Sequence, residues 1–185
     1  MKKLFNLFLI ALVAISLVTT SCKDEDDDSD DTTTPTAAKF DFLKAGRTWT
    51  YYYDDVLTDE MVISTTSADG SNLYTMNLDG STEQWFMSDN VFGWYDDATS
   101  TTEIICKADA KLNDVYTKID GIDTSMYKVE GLNVSKTVNA GTFSCYKVGE
   151  YNGGTLGGYF YINKNVGIIA FEGDGGSVKL KSKNF

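Results

Sequence analysis

From Phe40 onward the chain repeatedly alternates apolar with polar side chains at period two, and turn-forming residues break the runs. Arg47 to Asp54 sets Trp49, Tyr51 and Tyr53 against Thr48, Thr50 and Tyr52, the pattern of a strand with one buried face. Met61, Ile63 and Thr65 open a second strand that stops at Asp69-Gly70, a tight-hairpin dipeptide. Its partner places Tyr74, Met76 and Leu78 on one face and stops at Asp79-Gly80, a second such dipeptide. Further strands are expected over 82–87, 91–95, 101–107 and 115–119, then over 126–130, 135–139, 143–151 and 158–163. The series closes with 167–171 and 177–183, where Val178-Lys179-Leu180-Lys181 turns its apolar residues in and its lysines out. Asp41 to Ala45 can form one helical turn before Gly46. No stretch after the first residues sustains an apolar 3.6 period for three turns. The expectation is therefore an all-β antiparallel meander of about a dozen strands. The pattern leaves open whether the sheet closes into a barrel, curls around a helix or packs as a sandwich.

The amino-terminal residues follow a different rule. Lys2 and Lys3 precede Leu4 to Val18, an apolar run interrupted only by Asn6 and Ser16. As a helix it reaches roughly 22 Å, short of the roughly 30 Å hydrocarbon core, which suits a removable signal better than a permanent anchor. Thr19-Thr20-Ser21-Cys22 resembles a lipobox, although Thr19 stands where leucine is usual. In that motif the cysteine thiol takes a diacylglycerol, the preceding bond is cut, and the new amine is acylated as well. Lys23-Asp24-Glu25-Asp26-Asp27-Asp28 follows at once. It is similar to the export signal of Bacteroidota lipoproteins, an acidic cluster behind the acylated cysteine. That resemblance implies a precursor with a signal peptide over 1–21 and a lipid on Cys22. An acidic, disordered linker would then run over 22–38 and an all-β domain over 39–185. It places the protein on the outer membrane, lipid-anchored and exposed at the cell surface. The lipid bilayer is then its first partner.

Composition adds exclusions. Hydrophobic residues make up 42% and aromatics 13%, which fits a folded domain. The formal net charge is −11, which disfavours nucleic acid as a partner. There is no histidine. Its lack removes Ser-His-Asp and Cys-His catalysis and the usual zinc ligand sets, so neither an enzyme, a metal nor a cofactor is expected.

Three later segments carry a second resemblance. Phe42-Leu43-Lys44-Ala45-Gly46-Arg47-Thr48-Trp49-Thr50-Tyr51 resembles the opening of many small bacterial envelope lipoproteins. The stretch from Val138 through Ala140-Gly141-Thr142-Phe143 to Cys145-Tyr146-Lys147-Val148 resembles a later strand pair of theirs, and Gly158 to Ile169 the hairpin that follows. The resemblance implies a single, strongly curved antiparallel sheet, a half-barrel or lipocalin-like barrel. It supplies no catalytic residues.

Cys106 and Cys145 remain after lipidation of Cys22. In an oxidising compartment they either form one disulfide, stabilising by roughly 3–4 kcal/mol, or pack as two separate buried thiols. The aromatic residues fit stacking on sugars or enclosing an apolar molecule, as well as simple core filling. Trp85, Trp94 and Tyr95, around the expected turn Ser88-Asp89-Asn90, are the candidate ligand-binding residues. Of the strand glutamates Glu83, Glu103, Glu130, Glu150 and Glu172, spacing singles out no pair for carboxylate chemistry. Asp54-Asp55, Asp96-Asp97 and Glu172 to Gly175 read as solvated turns. The leading expectation is a non-enzymatic binding module for a glycan or an apolar small molecule. The alternatives are an accessory subunit with an envelope-protein partner, and a small carboxylate hydrolase. Protease treatment of intact cells should release the domain, and replacing Asp24 to Asp28 with alanine should protect it; protection of the unaltered protein would overturn surface display.

Overall fold

The computed structural model describes residues 38–120 and 123–185; the expected signal peptide and its helix, Cys22, the Lys23 to Asp28 run and nearly all of the linker lie outside them. No helix forms among the described residues. The strands are β1 (Thr48–Tyr53), β2 (Val56–Ala68), β3 (Leu73–Leu78), β4 (Ser81–Met87), β5 (Val91–Asp96) and β6 (Thr101–Lys107). They continue as β7 (Val115–Asp120), β8 (Asp123–Val138), β9 (Gly141–Asn152), β10 (Thr155–Asn163), β11 (Gly167–Gly173) and β12 (Gly176–Lys183).

All twelve belong to one sheet in the order β6-β5-β4-β3-β2-β1-β12-β11-β10-β9-β8-β7. Every neighbour is antiparallel, and consecutive strands pair except at one place. The first strand pairs with the last, Trp49 opposite Lys183 and Tyr53 opposite Val178, which brings the meander round into a nearly closed barrel. The gap falls between β6 and β7, joined by residues 108–114. Lys118 of β7 spans this seam, 3.4 Å from Asp96 and 3.7 Å from Glu103.

Local sequence explains the hairpins. Asp79 and Gly80 have φ of 53° and 98°, and Asp54 and Asp55 have φ of 46° and 63°. Two-residue loops with both φ positive match the right-handed twist of the strands they join. The Asp54-Asp55 turn lacks glycine and is held from the next strand instead. Asp54 Oδ1 accepts the Ser177 backbone N–H at 2.6 Å, and the Lys179 ammonium meets Asp55 at 2.7 Å.

Two expectations need correcting. Asp41 to Ala45 forms no helical turn; it runs extended to a turn at Ala45-Gly46. Phe40 and Phe42 both need burial, and an extended chain delivers them to one side. Their rings meet Phe92 edge-on at 6.2 and 4.9 Å, and Leu43 is fully buried beside them. The Arg47 guanidinium donates to the Asp41 and Phe42 carbonyls at 2.6 and 3.0 Å. This segment fills one end of the barrel. The strands expected over 126–130 and 135–139 are one strand, β8, with register shifts on either side of Gly131. These bulges bend it around the barrel without ending it.

Inside, the Trp49 indole N–H donates to the Val166 carbonyl at 2.7 Å and the Tyr51 hydroxyl to the Ile168 carbonyl at 2.8 Å. Gly93 lies where β5 presses on β6: a Cβ there would sit 2.1 Å from the Glu103 backbone oxygen. Gly93→Ala should therefore lower the unfolding free energy by about 1–3 kcal/mol. Gly175→Ala, with nothing within 4 Å of its Cβ position, should change it by less than about 0.5 kcal/mol. Urea unfolding of both variants checks this.

Candidate functional site

Beyond the Phe40–Phe42 plug an open recess enters the barrel. It holds about 260 Å³ among the described residues. Tyr51, Met61, Ile63, Leu78 and Val178 of β1, β2, β3 and β12 make one wall. The rest of the lining is largely aromatic, and strand register builds it. Trp85 and Trp94 oppose each other across β4 and β5 and meet edge-on at 4.8 Å and 68°. Trp94 then approaches Phe160 of β10, 6.4 Å away. Strands β5 and β10 are not neighbours in the sheet, so this contact crosses the interior. Phe160 in turn tilts against Phe171 of β11 at 4.7 Å. A Cβ on Gly158 would come within 2.6 Å of the Phe171 ring, so this glycine makes the room the ring occupies. Glu83 is exposed at the cavity's rim, where its carboxylate accepts the Trp85 indole N–H at 3.3 Å.

Behind this row of rings lies a second polar group. Glu103 stands opposite Trp94 in the β5–β6 pair, and Glu150 stands opposite Tyr127 in the β8–β9 pair. The Tyr127 ring lies 6.3 Å from Phe160, and its hydroxyl is 3.5 Å from Glu150 Oε1. Burial first, and then the Glu103 carboxylate, push the Glu150 carboxyl above its ordinary range, while hydrogen bonds from Tyr127 and Asn152 partly oppose them. Burial and the two carboxylates likewise drive the Tyr127 phenol upward. The strand alternation gave no reason to choose Glu103 and Glu150 from five glutamates. Barrel curvature brings them together, and no local spacing reports that.

The three residues read as ligand-binding fall around two recesses that share Trp94. Trp85 is buried and Trp94 half-buried, both walling the cavity. Tyr95 opposes Gln84 in the β4–β5 pair and lines a second open recess of about 580 Å³, which also includes Glu83, Trp94, Asp96 and Asp97. Trp94 thus borders both recesses, whereas Tyr95 borders only the second. Cys106 and Cys145 are both free and buried. Cys106 is paired with, and shares the inward side of, Phe92, whereas Cys145 alternates with Tyr146, whose hydroxyl reaches the Ala108 carbonyl at 2.5 Å across the buried interior. The two thiols thus leave opposite faces of the sheet, and the disulfide alternative gives way to the buried-thiol one. Burial pushes each thiol up to about 12, which leaves both unreactive. Glu130 and Glu172 serve outer contacts, with Tyr151 at 2.5 Å and Lys136 at 2.6 Å respectively.

No family model matches the chain, and no curated protein or solved structure matches it. The cavity and its acidic flank therefore stand on their own geometry. Among the described residues, no three acidic or thiol side chains gather as a metal-binding group.

The pH response of Glu150 is a direct check on that geometry. Its carboxyl holds a proton more firmly in the folded chain than in the unfolded one, so ionising it weakens the fold as pH rises past its ordinary 4.5. Unfolding free energies of the unaltered chain and Glu150→Gln, compared between about pH 4 and about pH 8, should diverge. The unaltered chain loses stability relative to the variant as pH climbs, and the gap levels off once Glu150 is ionised in both states. A gap independent of pH would contradict the placement of the two carboxylates.

Proposed function

We propose that the chain is a lipid-anchored, surface-displayed bacterial lipoprotein whose barrel is a non-enzymatic binding module for a small, largely apolar molecule. The observation that carries this reading is the open recess beside Trp85, Trp94, Phe160 and Phe171. A recess open to solvent and lined almost wholly by apolar side chains can receive an apolar guest. Binding there removes the guest's surface from water, at about 25 cal/mol per Å² of apolar area. At about 260 Å³ the space falls below the roughly 300–1,000 Å³ of drug-sized pockets. A compact guest suits it, and a sugar chain does not. Sugar stacking calls for open ring faces, and Trp85 is only 3% exposed. Hydrolysis is disfavoured as well, because Glu103 is engaged by Lys118 and both glutamates sit behind the rings that wall the cavity.

Tryptophan fluorescence offers the test, since two of the three tryptophans wall the cavity. Titration with short alkyl and aryl compounds should shift or quench the emission in a saturable way. Val178→Trp, which places a large ring in the lining beside Phe171, should abolish saturation of the response while the thermal transition is retained. No saturable response to any such compound, or full binding in Val178→Trp, would overturn the reading.

A further inference from the structure

We infer that the second recess, beside Tyr95, is a binding site in its own right and takes a neutral sugar of one or two rings. It is separate from the apolar recess inside the barrel and does not depend on what binds there.

Strand register builds the site. Thr75 of β3 stands opposite Gln84 of β4, Gln84 opposite Tyr95 of β5, and Tyr95 opposite Thr102 of β6. Paired residues share one face of a sheet, so these side chains form a row across four strands, about 14 Å long at roughly 4.8 Å per step. One residue away in each strand runs a second row, Tyr74, Trp85, Trp94 and Glu103. Trp85 belongs to the buried core, so alternation turns the first row outward. Thr82 shares the outward side of β4, and Asp97 follows the end of β5. Thr75, Thr82, Gln84, Tyr95 and Asp97 together line the recess.

Most of the hydrogen-bonding groups there are unengaged. Asp96 is the exception: it accepts the Ala98 backbone N–H at 2.9 Å and meets Lys118 at 3.4 Å. The side chains of Thr75, Thr82, Gln84 and Asp97 hold no hydrogen bond or ion pair to any described residue. Threonine hydroxyls and a glutamine amide both donate and accept, and a carboxylate accepts. Sugar hydroxyls, each donor and acceptor at once, match such a set. Tyr95 is half-buried, so its ring offers the C–H side of a sugar an apolar surface.

Other ligands fit less well. A peptide finds no strand to pair with, because β4 and β5 each have a hydrogen-bonded neighbour on both sides. An acidic sugar meets Glu83 and Asp97 and no lysine or arginine on the lining. Size agrees: at roughly 30 Å³ for each water-sized group, about 580 Å³ takes about nineteen, one hexose and most of a second.

The test compares sugars and charges. Cellobiose, maltose and lactose are neutral sugars of that size; digalacturonate is an anionic one, and trilysine is a cation without sugar. Each is titrated by calorimetry into the full chain in a sugar-free detergent. At least one neutral sugar should bind saturably, and more tightly than either charged probe. Gln84→Ala should weaken that sugar by about three- to tenfold, and Tyr95→Ala by at least as much, while both variants keep a cooperative thermal transition. Val178→Trp, which alters only the inner recess, should leave sugar affinity unchanged. The assignment is overturned if no neutral sugar binds, or if a charged probe binds more tightly. It is overturned equally if neither outward variant weakens binding, or if Val178→Trp abolishes it. None of these results touches the apolar role of the inner recess, which the alkyl and aryl titration decides.

Discussion

The structure depends on the pairing of its first strand with its last. β1 and β12 are separated by most of the domain's length, yet they lie side by side from Trp49–Lys183 to Tyr53–Val178. Joining residues so far apart carries a closure entropy that grows only slowly with length, and closure gives the sheet an inside. Trp49 and Tyr51 reinforce the join by reaching past β12 to carbonyls at Val166 and Ile168. If that pairing opened, the plug, the cavity and the facing glutamates would have nothing to enclose them. A fold of this kind, built on remote contacts, is expected to form slowly beside helical proteins of equal stability.

Inside, large rings settle what is solid and what is empty. Phe40, Phe42 and Phe92 crowd one end and leave no space. Further along, Trp94 leans toward Phe160 and so partitions the interior. On one side is an apolar room; on the other are Tyr127 and two carboxylates in a medium where charge carries farther than in water. The partition exists because Gly93 and Gly158 give up side chains where neighbouring atoms need the volume.

Much of this was legible in the sequence, for identifiable reasons. Period-two alternation located the strands, and the Asp-Gly pairs located two hairpins, because both signals are local. The extent of β2 was missed: Val56 to Glu60 is exposed and shows no alternation, and it is held by pairing with β1 and by Lys181, which reaches the Leu57 carbonyl and Glu60. The break assigned within β8 was a bulge, which looks like a loop when only residue identities are seen. Trp85 and Trp94 flank one turn, and a hairpin there sets them opposite each other across β4 and β5. Tyr95 joins Trp94 at the second recess even though strand alternation sends the two side chains to opposite faces. The facing of Glu103 and Glu150 was beyond local reading, because it comes from the curvature of the whole sheet.

The seam has one more consequence. An open sheet ordinarily ends in two bare rows of backbone donors and acceptors, each ready to recruit a foreign strand. In this molecule the two rows belong to β6 and β7, consecutive in the chain and turned toward each other, with Lys118 reaching across. The connecting residues 108–114 tie them within a short span, and Lys118 bridges to β5 and β6 across it. Two edges held together by the chain itself offer a foreign strand less room than the ends of a flat sheet do.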